Sequence, residues 1–246
     1  MLQQTQAARV VPKWLAFLDV FPTPSACAAA PLGDVLRLWQ GLGYPRRARN
    51  LHAAAAAVVA AGSFPSSLIG LLALPGVGQY TARAVIAFAF EHDAAVVDTN
   101  IARVYARLAG RQLTPRQVQA AADAALPSGH SWAWNQCLMD LGAVLCRPRS
   151  PGCRECPLRL ACVWHGVGAD PAVGSAGVSG RQARFEGSDR QARGRLLRAA
   201  GVGSVAVADA AAVAGWPTQP SRAAAMAATL VADGLLVVDG GHYRLP

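Results

Sequence analysis

Four cysteines, Cys146, Cys153, Cys156 and Cys162, fall in one short stretch with the spacing Cys-x6-Cys-x2-Cys-x5-Cys. Such a set can surround only a small, thiolate-loving centre, and four thiolates are what a [4Fe-4S] cluster needs. Structural zinc also takes four cysteines, usually as two CxxC-like knuckles. Only Cys153-x2-Cys156 has that form, so the spacing favours iron and sulfur over zinc. A disulfide framework is disfavoured, because no secretory signal is present and 246 residues are enough to bury a core without staples.

Two further stretches could do chemistry. Leu74-Pro75-Gly76-Val77-Gly78 lies between two helical patterns and has the form of a tight hairpin. Its glycines permit backbone conformations that expose amides at the start of the Gln79 helix, a place that attracts phosphate. Asp98 stands before Thr99-Asn100 as the expected N-cap of a helix reaching Leu108, where backbone amides and the helix dipole favour an ionised carboxylate.

The elements that must position these groups are helical. Apolar residues Val10, Val11, Trp14, Leu15 and Leu18 recur at helical spacing, with Pro12 expected to bend or restart the helix. Helices follow over Pro31 to Gln40, Arg46 to Ala61, Ser66 to Ala73, Gln79 to Phe90, Asp98 to Leu108 and from Thr114. Trp132 to Leu145 carries the chain into the cysteine loop. Everything up to Cys162 therefore reads as all-α. Gly166 to Gly180 is glycine-, alanine-, valine- and serine-rich, which places a linker at 166–185 between a domain at 1–165 and a second at 186–246. The second reads as three helices followed by a hairpin turned at Gly240-Gly241, the outline of a small winged-helix-like α+β domain.

Composition points to an anionic partner. The formal net charge is +9 and Lys13 is the only lysine, so nearly all basic charge is arginine, the residue suited to phosphate. Double-stranded DNA is the natural candidate, although an arginine-rich, GC-biased composition would give the same balance. The alanine run near Ala53 to Ala61 is too short to span a bilayer, and no signal peptide precedes it. A cytoplasmic, nucleoid-associated monomer is expected. Cys27 and Cys137 are expected to be buried small hydrophobes.

A hairpin of this kind, an aspartate about twenty residues on, and then the cysteine loop form an order that resembles the helix-hairpin-helix DNA glycosylases with an iron-sulfur cluster. The likeness runs from Met1 to Cys162. Met1-Leu2-Gln3-Gln4-Thr5-Gln6, Trp39-Gln40-Gly41-Leu42-Gly43-Tyr44 and Ala48-Arg49-Asn50-Leu51 resemble the adenine DNA glycosylase branch. The resemblance implies removal of adenine mispaired with 8-oxoguanine or guanine by hydrolysis of the N-glycosidic bond. It implies Asp98 as the carboxylate that stabilises positive charge on the sugar, with Tyr80 and Asn100 as polar supports. Bifunctional members carry a lysine where this chain has Tyr80, so a monofunctional enzyme without a Schiff base is implied. Base flipping needs a wedge, and Gln3, Gln4 and Tyr44 resemble the residues that fill the gap and read the mispair. Arg47, with Arg46 and Arg49, is expected at phosphates, as are Gly76, Val77 and Gly78.

The sequence also departs from the family. The general-acid glutamate would lie two positions before Met1, and a preceding segment of the family pattern would lie upstream as well. We expect the reading frame to begin further upstream, and little adenine excision from the 246 residues alone. The alternatives are a DNA-binding module that does not excise adenine, or an endonuclease III-like glycosylase for oxidised pyrimidines. Pro45 replaces a second tyrosine, and the C-terminal region does not resemble the family's Nudix-like domain.

Overall fold

Short, capped helices account for most of the chain, and many begin where the sequence supplies a cap or a proline. A computed structural model describes all residues except Gln4, Ala176 and residues 179–183. It divides into two compact units, one of Met1–Phe64, Leu74–Gly76 and Gln182–Pro246, the other of Pro65–Ala73 and Val77–Arg181.

The first unit begins with α1 (Ala7–Val20), α2 (Pro24–Ala29), α3 (Leu32–Trp39) and α4 (Arg46–Ala61). Thr23 caps α2 by accepting the Ala26 amide at 3.1 Å, with Pro24 at the first helical position, where a missing N–H costs nothing. Contrary to expectation, α1 runs through Pro12. The proline lies in the second turn, so it forfeits only one bond near the helix start. The apolar face is also rotated from the expected one: Val10 and Phe17 are buried, whereas Val11, Trp14, Leu15 and Leu18 stay exposed.

In the C-terminal segment of this unit, α10 (Asp189–Val202), α11 (Ala210–Ala214) and α12 (Pro220–Ala232) accompany strands β1 (Val205–Ala206), β2 (Val237–Asp239) and β3 (His242–Arg244). The antiparallel order is β1-β3-β2, with Tyr243 opposite Val205 on one side and Val238 on the other. Gly240 and Gly241 have φ of 53° and 75°, the two positive values that a tight hairpin turn requires. The winged-helix outline thus gains a strand that two residues were too few to announce.

The packing groups these segments in another way than the expected 1–165 and 186–246. Val35, Leu36 and Trp39 of α3 share one core with Leu196, Leu197 and Ala200 of α10 and with Trp216, Leu230, Leu235 and Leu236. A segment of about 60 residues is marginal by itself, and here it shares its core with α1 to α4. Asp233, just after α12, ties the two segments. It accepts from Arg46 at 2.7 Å and from Arg193 at 2.5 Å, and its backbone carbonyl accepts from Arg49. The Arg46 hydrogen bond, followed by Arg193, holds the Asp233 carboxyl below its usual range. A depressed folded-state pKa contributes stability above the unfolded value, about 3.9, and loses it as pH falls through the folded value. Asp233→Asn should therefore flatten the loss of thermal stability between neutral pH and the acid limb. Parallel curves for the two proteins would overturn this account.

The second unit holds α5 (Leu68–Leu72), α6 (Gln79–Phe88), α7 (Thr99–Ala109), α8 (Pro115–Ala125) and α9 (Ser131–Val144). A capping box between Thr114 and Gln117 starts α8. Ile101, Val104 and Tyr105 of α7 pack with Val118 of α8 and Leu138 of α9. The expected linker is in part a packed segment: Ala172 and Ser175 are buried, Ser175 Oγ accepts the Leu113 amide at 3.1 Å, and Asp170 pairs with Arg107 at 2.6 Å. Polar anchors at Asp170 and Ser175 offset the low apolar content that made the stretch read as a linker. Cys27 is buried as expected, but Cys137 is exposed on α9. No helix among the described residues is long and apolar enough to cross a membrane.

Candidate active site

The two glycines of the hairpin do different things. Gly76 has φ 75°, and a Cβ there would fall 2.5 Å from Asn50 Nδ2, so both backbone and space demand glycine. Gly78 is the extended N-cap of α6, with φ −98°, and a Cβ added there would meet nothing within 4 Å. No packing or strain requires glycine at Gly78, so what its bare backbone provides is open access to the first amides of α6.

Asp98 caps α7 as expected. Its Oδ1 accepts the Ile101 amide at 2.7 Å and its Oδ2 accepts Asn100 Nδ2 at 3.1 Å. Two donors on one carboxylate fix its rotamer and leave lone pairs on each oxygen free for a developing cation. Tyr80, in the first turn of α6, is 40% exposed. Burial first, then the nearby Asp98 charge, pushes its hydroxyl above the usual phenol range, so Tyr80 remains a proton donor at neutral pH. Asp98 and Asn100 are thus hydrogen-bonded to each other within the second unit, with Tyr80 near enough to feel the Asp98 charge.

The same unit carries the cysteine loop. Cys146, Cys153, Cys156 and Cys162 line one cavity, walled by Val104, Leu141, Leu145 and Leu158 together with Arg107 and Trp164. No three His, Cys, Asp or Glu side chains among the described residues converge closely enough to share a single ion. Four thiols around a common space are a donor set for a thiolate-bound metal centre. Burial first, then Cys146 and Cys162, pushes the Cys153 thiol up, and a bound metal centre would supply the positive charge that favours its thiolate. Backbone and guanidinium donors already face the sulfurs: the His165 amide lies 3.3 Å from Cys162 Sγ and Arg107 Nη1 3.3 Å from Cys146 Sγ. Donor set and surroundings both fit an iron-sulfur cluster.

Residues 1–128 match the model of the HhH-GPD superfamily of base excision DNA repair proteins. The adenine DNA glycosylase of Mycobacterium tuberculosis strain CDC 1551 is 41% identical over 257 aligned positions, covering all of this chain and 83% of the relative. The chain belongs to the adenine DNA glycosylase family. The Mycolicibacterium smegmatis adenine DNA glycosylase is 39% identical over 96% of the chain and 81% of its own length. Among solved structures, a thermostable thymine-DNA glycosylase superposes with a TM-score of 0.63 at 30% identity, over 67% of this chain and 79% of that one. Because the first mycobacterial alignment covers the whole chain, the likeness to adenine DNA glycosylases extends through the winged-helix-like C-terminal segment.

Within this adenine DNA glycosylase scaffold, several residues that position the site were not legible in the sequence. Arg103, 4% exposed, donates from Nη2 to Asn100 Oδ1 at 2.9 Å and to the Gly142 carbonyl at 2.6 Å. Its Nε reaches the Cys146 carbonyl at 2.7 Å. The polar group at Asp98 is thus joined through Asn100 and Arg103 to the first cysteine. Ahead of Asp98, residues 94–96 have no sheet partner among the described residues. Asn135 instead accepts the Val96 amide at 2.8 Å and donates to the Ala94 carbonyl at 2.9 Å, while Ser131 Oγ bonds both backbone groups of Ala94.

Arg47, expected at a phosphate, is otherwise engaged. Its guanidinium donates to the carbonyls of Met1, Gln3, Leu42 and Gly43 and to Thr5 Oγ1, at 2.7 to 3.2 Å, and lies over the rings of Trp39 and Tyr44. With its η donors committed, Arg47 is the clamp that holds the Gln3 and Tyr44 loops together in the first unit. Arg46 and Arg49 are similarly tied to Asp233. Tyr44 has φ 49°, a strained value for an aromatic residue, and the residue is 39% exposed. Gln4 lies outside the described residues.

Proposed function

We propose that this protein is a monofunctional adenine DNA glycosylase acting in base excision repair on adenine opposite 8-oxoguanine or guanine in double-stranded DNA. The observation that carries this reading is a carboxylate with a fixed rotamer at Asp98, beside a tyrosine at the position where a Schiff-base enzyme needs an amine. Breaking the N-glycosidic bond builds positive charge on the sugar. Asp98 meets that charge from a preorganised position, held by the Ile101 amide and Asn100, and Tyr80 offers its hydroxyl as a donor to the sugar. Hydrolysis rather than strand cleavage follows from the chemistry of residue 80.

Gln3 and Tyr44, clamped by Arg47, fit the wedge that replaces a flipped adenine. The α6 N-terminus bared by Gly78 fits a phosphate. A [4Fe-4S] cluster on the four cysteines supplies no bond-making step; when bound it shapes a loop whose Arg147, Arg149, Arg154 and Arg159 meet the DNA backbone. A soluble monomer working on chromosomal DNA in the cytoplasm agrees with these features.

The test uses the protein expressed from its native gene in single-turnover assays on duplexes with adenine opposite 8-oxoguanine. Adenine release without a borohydride-trapped adduct is expected. A trapped adduct on oxidised pyrimidines would favour an endonuclease III-like enzyme, and tight binding without release of any base a DNA-binding module. Gly78→Val should lower thermal stability only modestly, by about 1 kcal/mol for the loss of a favoured N-cap residue, because an added Cβ there meets nothing. It should weaken duplex binding by about tenfold, roughly 1.4 kcal/mol, by screening the α6 amides from phosphate. Unaltered affinity in a binding titration would remove the hairpin from the DNA contact.

A further inference from the structure

Arg107 is the largest fully buried side chain among the described residues, and the mechanism above does not use it. Its Nη1 donates to Cys146 Sγ at 3.3 Å, to the Cys146 carbonyl at 3.2 Å and to the Arg147 carbonyl at 2.8 Å. Its other edge is gripped by Asp170, Nε to Oδ1 at 3.1 Å and Nη2 to Oδ2 at 2.6 Å, a bidentate pairing that fixes the guanidinium plane. The Arg107 guanidinium carbon lies over the Trp164 ring, 4.6 Å from its centroid.

The chain after the last cysteine is built to deliver these partners. The Val163 and Trp164 amides bond the last carbonyls of α7, those of Leu108 and Arg107, at 3.2 Å each. Gly110 makes this close approach feasible, since a Cβ there would lie 2.3 Å from Val163 Cγ1. Further on, Asp170 Oδ1 accepts the Ala172 amide at 3.0 Å, and Gln112 Nε2 donates to the Val173 carbonyl at 2.8 Å. Arg107 and Trp164 both line the cysteine cavity.

We propose that Arg107, Asp170 and Trp164 form a clasp over the cysteine cavity, in which Arg107 is a positioning and charge-compensating residue for the iron-sulfur cluster and Asp170 offsets its charge. The proposal rests on the cluster reading given above. A buried cation bonded to a ligating sulfur stabilises the more negative, reduced state of a cluster and raises its potential, and a carboxylate in the same place does the opposite. The clasp also shields the sulfurs from water and oxygen.

The two halves of the clasp therefore have opposite electrical effects and the same protective effect, which a purely structural role would not produce. The experiment compares wild-type protein with Asp170→Asn and Arg107→Gln, reading iron and sulfide content, the decay of visible cluster absorbance in air, and the midpoint potential by dye-coupled titration. Asp170→Asn should shift the potential positive and Arg107→Gln negative, and both should shorten the lifetime of the cluster severalfold. Asp170→Asn keeps the shape of the side chain and its bond to Ala172, so its positive shift decides the matter if Arg107→Gln does not fold. Loaded protein whose potential is unmoved by Asp170→Asn, or moves the same way in both variants, would overturn the clasp while leaving the cluster reading intact. Wild-type protein with zinc in place of iron and sulfide would overturn both.

Discussion

Asp98→Asn should lower the single-turnover rate of adenine release by about a thousandfold or more, with duplex binding retained. Removing one preorganised neutral donor from a transition-state site costs about 10²- to 10³-fold, and loss of a full negative charge opposite a developing cation exceeds that. The fold does not need the charge. Asparagine is as good an N-cap as aspartate, so its oxygen can still accept the Ile101 amide now held at 2.7 Å. Its amide group would meet the donor face of Asn100, an adverse contact that should cost about 1 kcal/mol. Thermal unfolding and binding titrations on the same preparation separate the two effects. A rate within tenfold of wild type would show that the Asp98 carboxylate is only a helix cap.

Gly142→Ala should nearly abolish activity from a position that touches no substrate. A Cβ on Gly142 would lie 2.6 Å from Asn100 Cβ and 3.1 Å from the Asn100 carbonyl carbon and oxygen. The obstruction is backbone and the root of a side chain, which cannot rotate away, so α7 and α9 must separate. Alanine gains up to about 1 kcal/mol in helix propensity, whereas overpacking of this kind costs about 1 to 3 kcal/mol, so net destabilisation is expected. The larger consequence is catalytic. Asn100 and Asp98 sit on the end of α7 that moves, and a displacement near 1 Å costs about 10²-fold in rate. The same shift strains the bond from Arg103 to the Gly142 carbonyl, 2.6 Å long in the native arrangement. Wild-type rate and melting temperature in Gly142→Ala would contradict the contact.

The parts of this protein that were legible in the sequence are those whose physics is local. Asp98 as a cap, the helix start at Thr114-Pro115, the Gly240-Gly241 turn and the cysteine spacing each depend on residues a few positions apart. The remainder depends on pairings across long separations. Arg107 reads as one more helical arginine until Asp170 arrives from a stretch whose glycines and alanines suggested a linker. Arg46, Arg47 and Arg49 read as a basic face because arginine so often meets solvent or phosphate. Their acceptors, backbone carbonyls and Asp233, carry no signature in sequence. Nor could the two hairpin glycines be told apart, since what distinguishes them is the presence of Asn50 beside Gly76 and of nothing beside Gly78.

The stretch before Asp98, which belongs to no helix or strand, bears on how the protein behaves in a crowded solution. Backbone that runs straight without a sheet ordinarily leaves a row of donors and acceptors that another chain can add to. Here the donors of Ala94 and Val96 and the acceptor of Ala94 are occupied by Ser131 and Asn135, side chains of a helix that cannot itself be extended by a strand. These three backbone groups ahead of the carboxylate are therefore unavailable for intermolecular β-pairing.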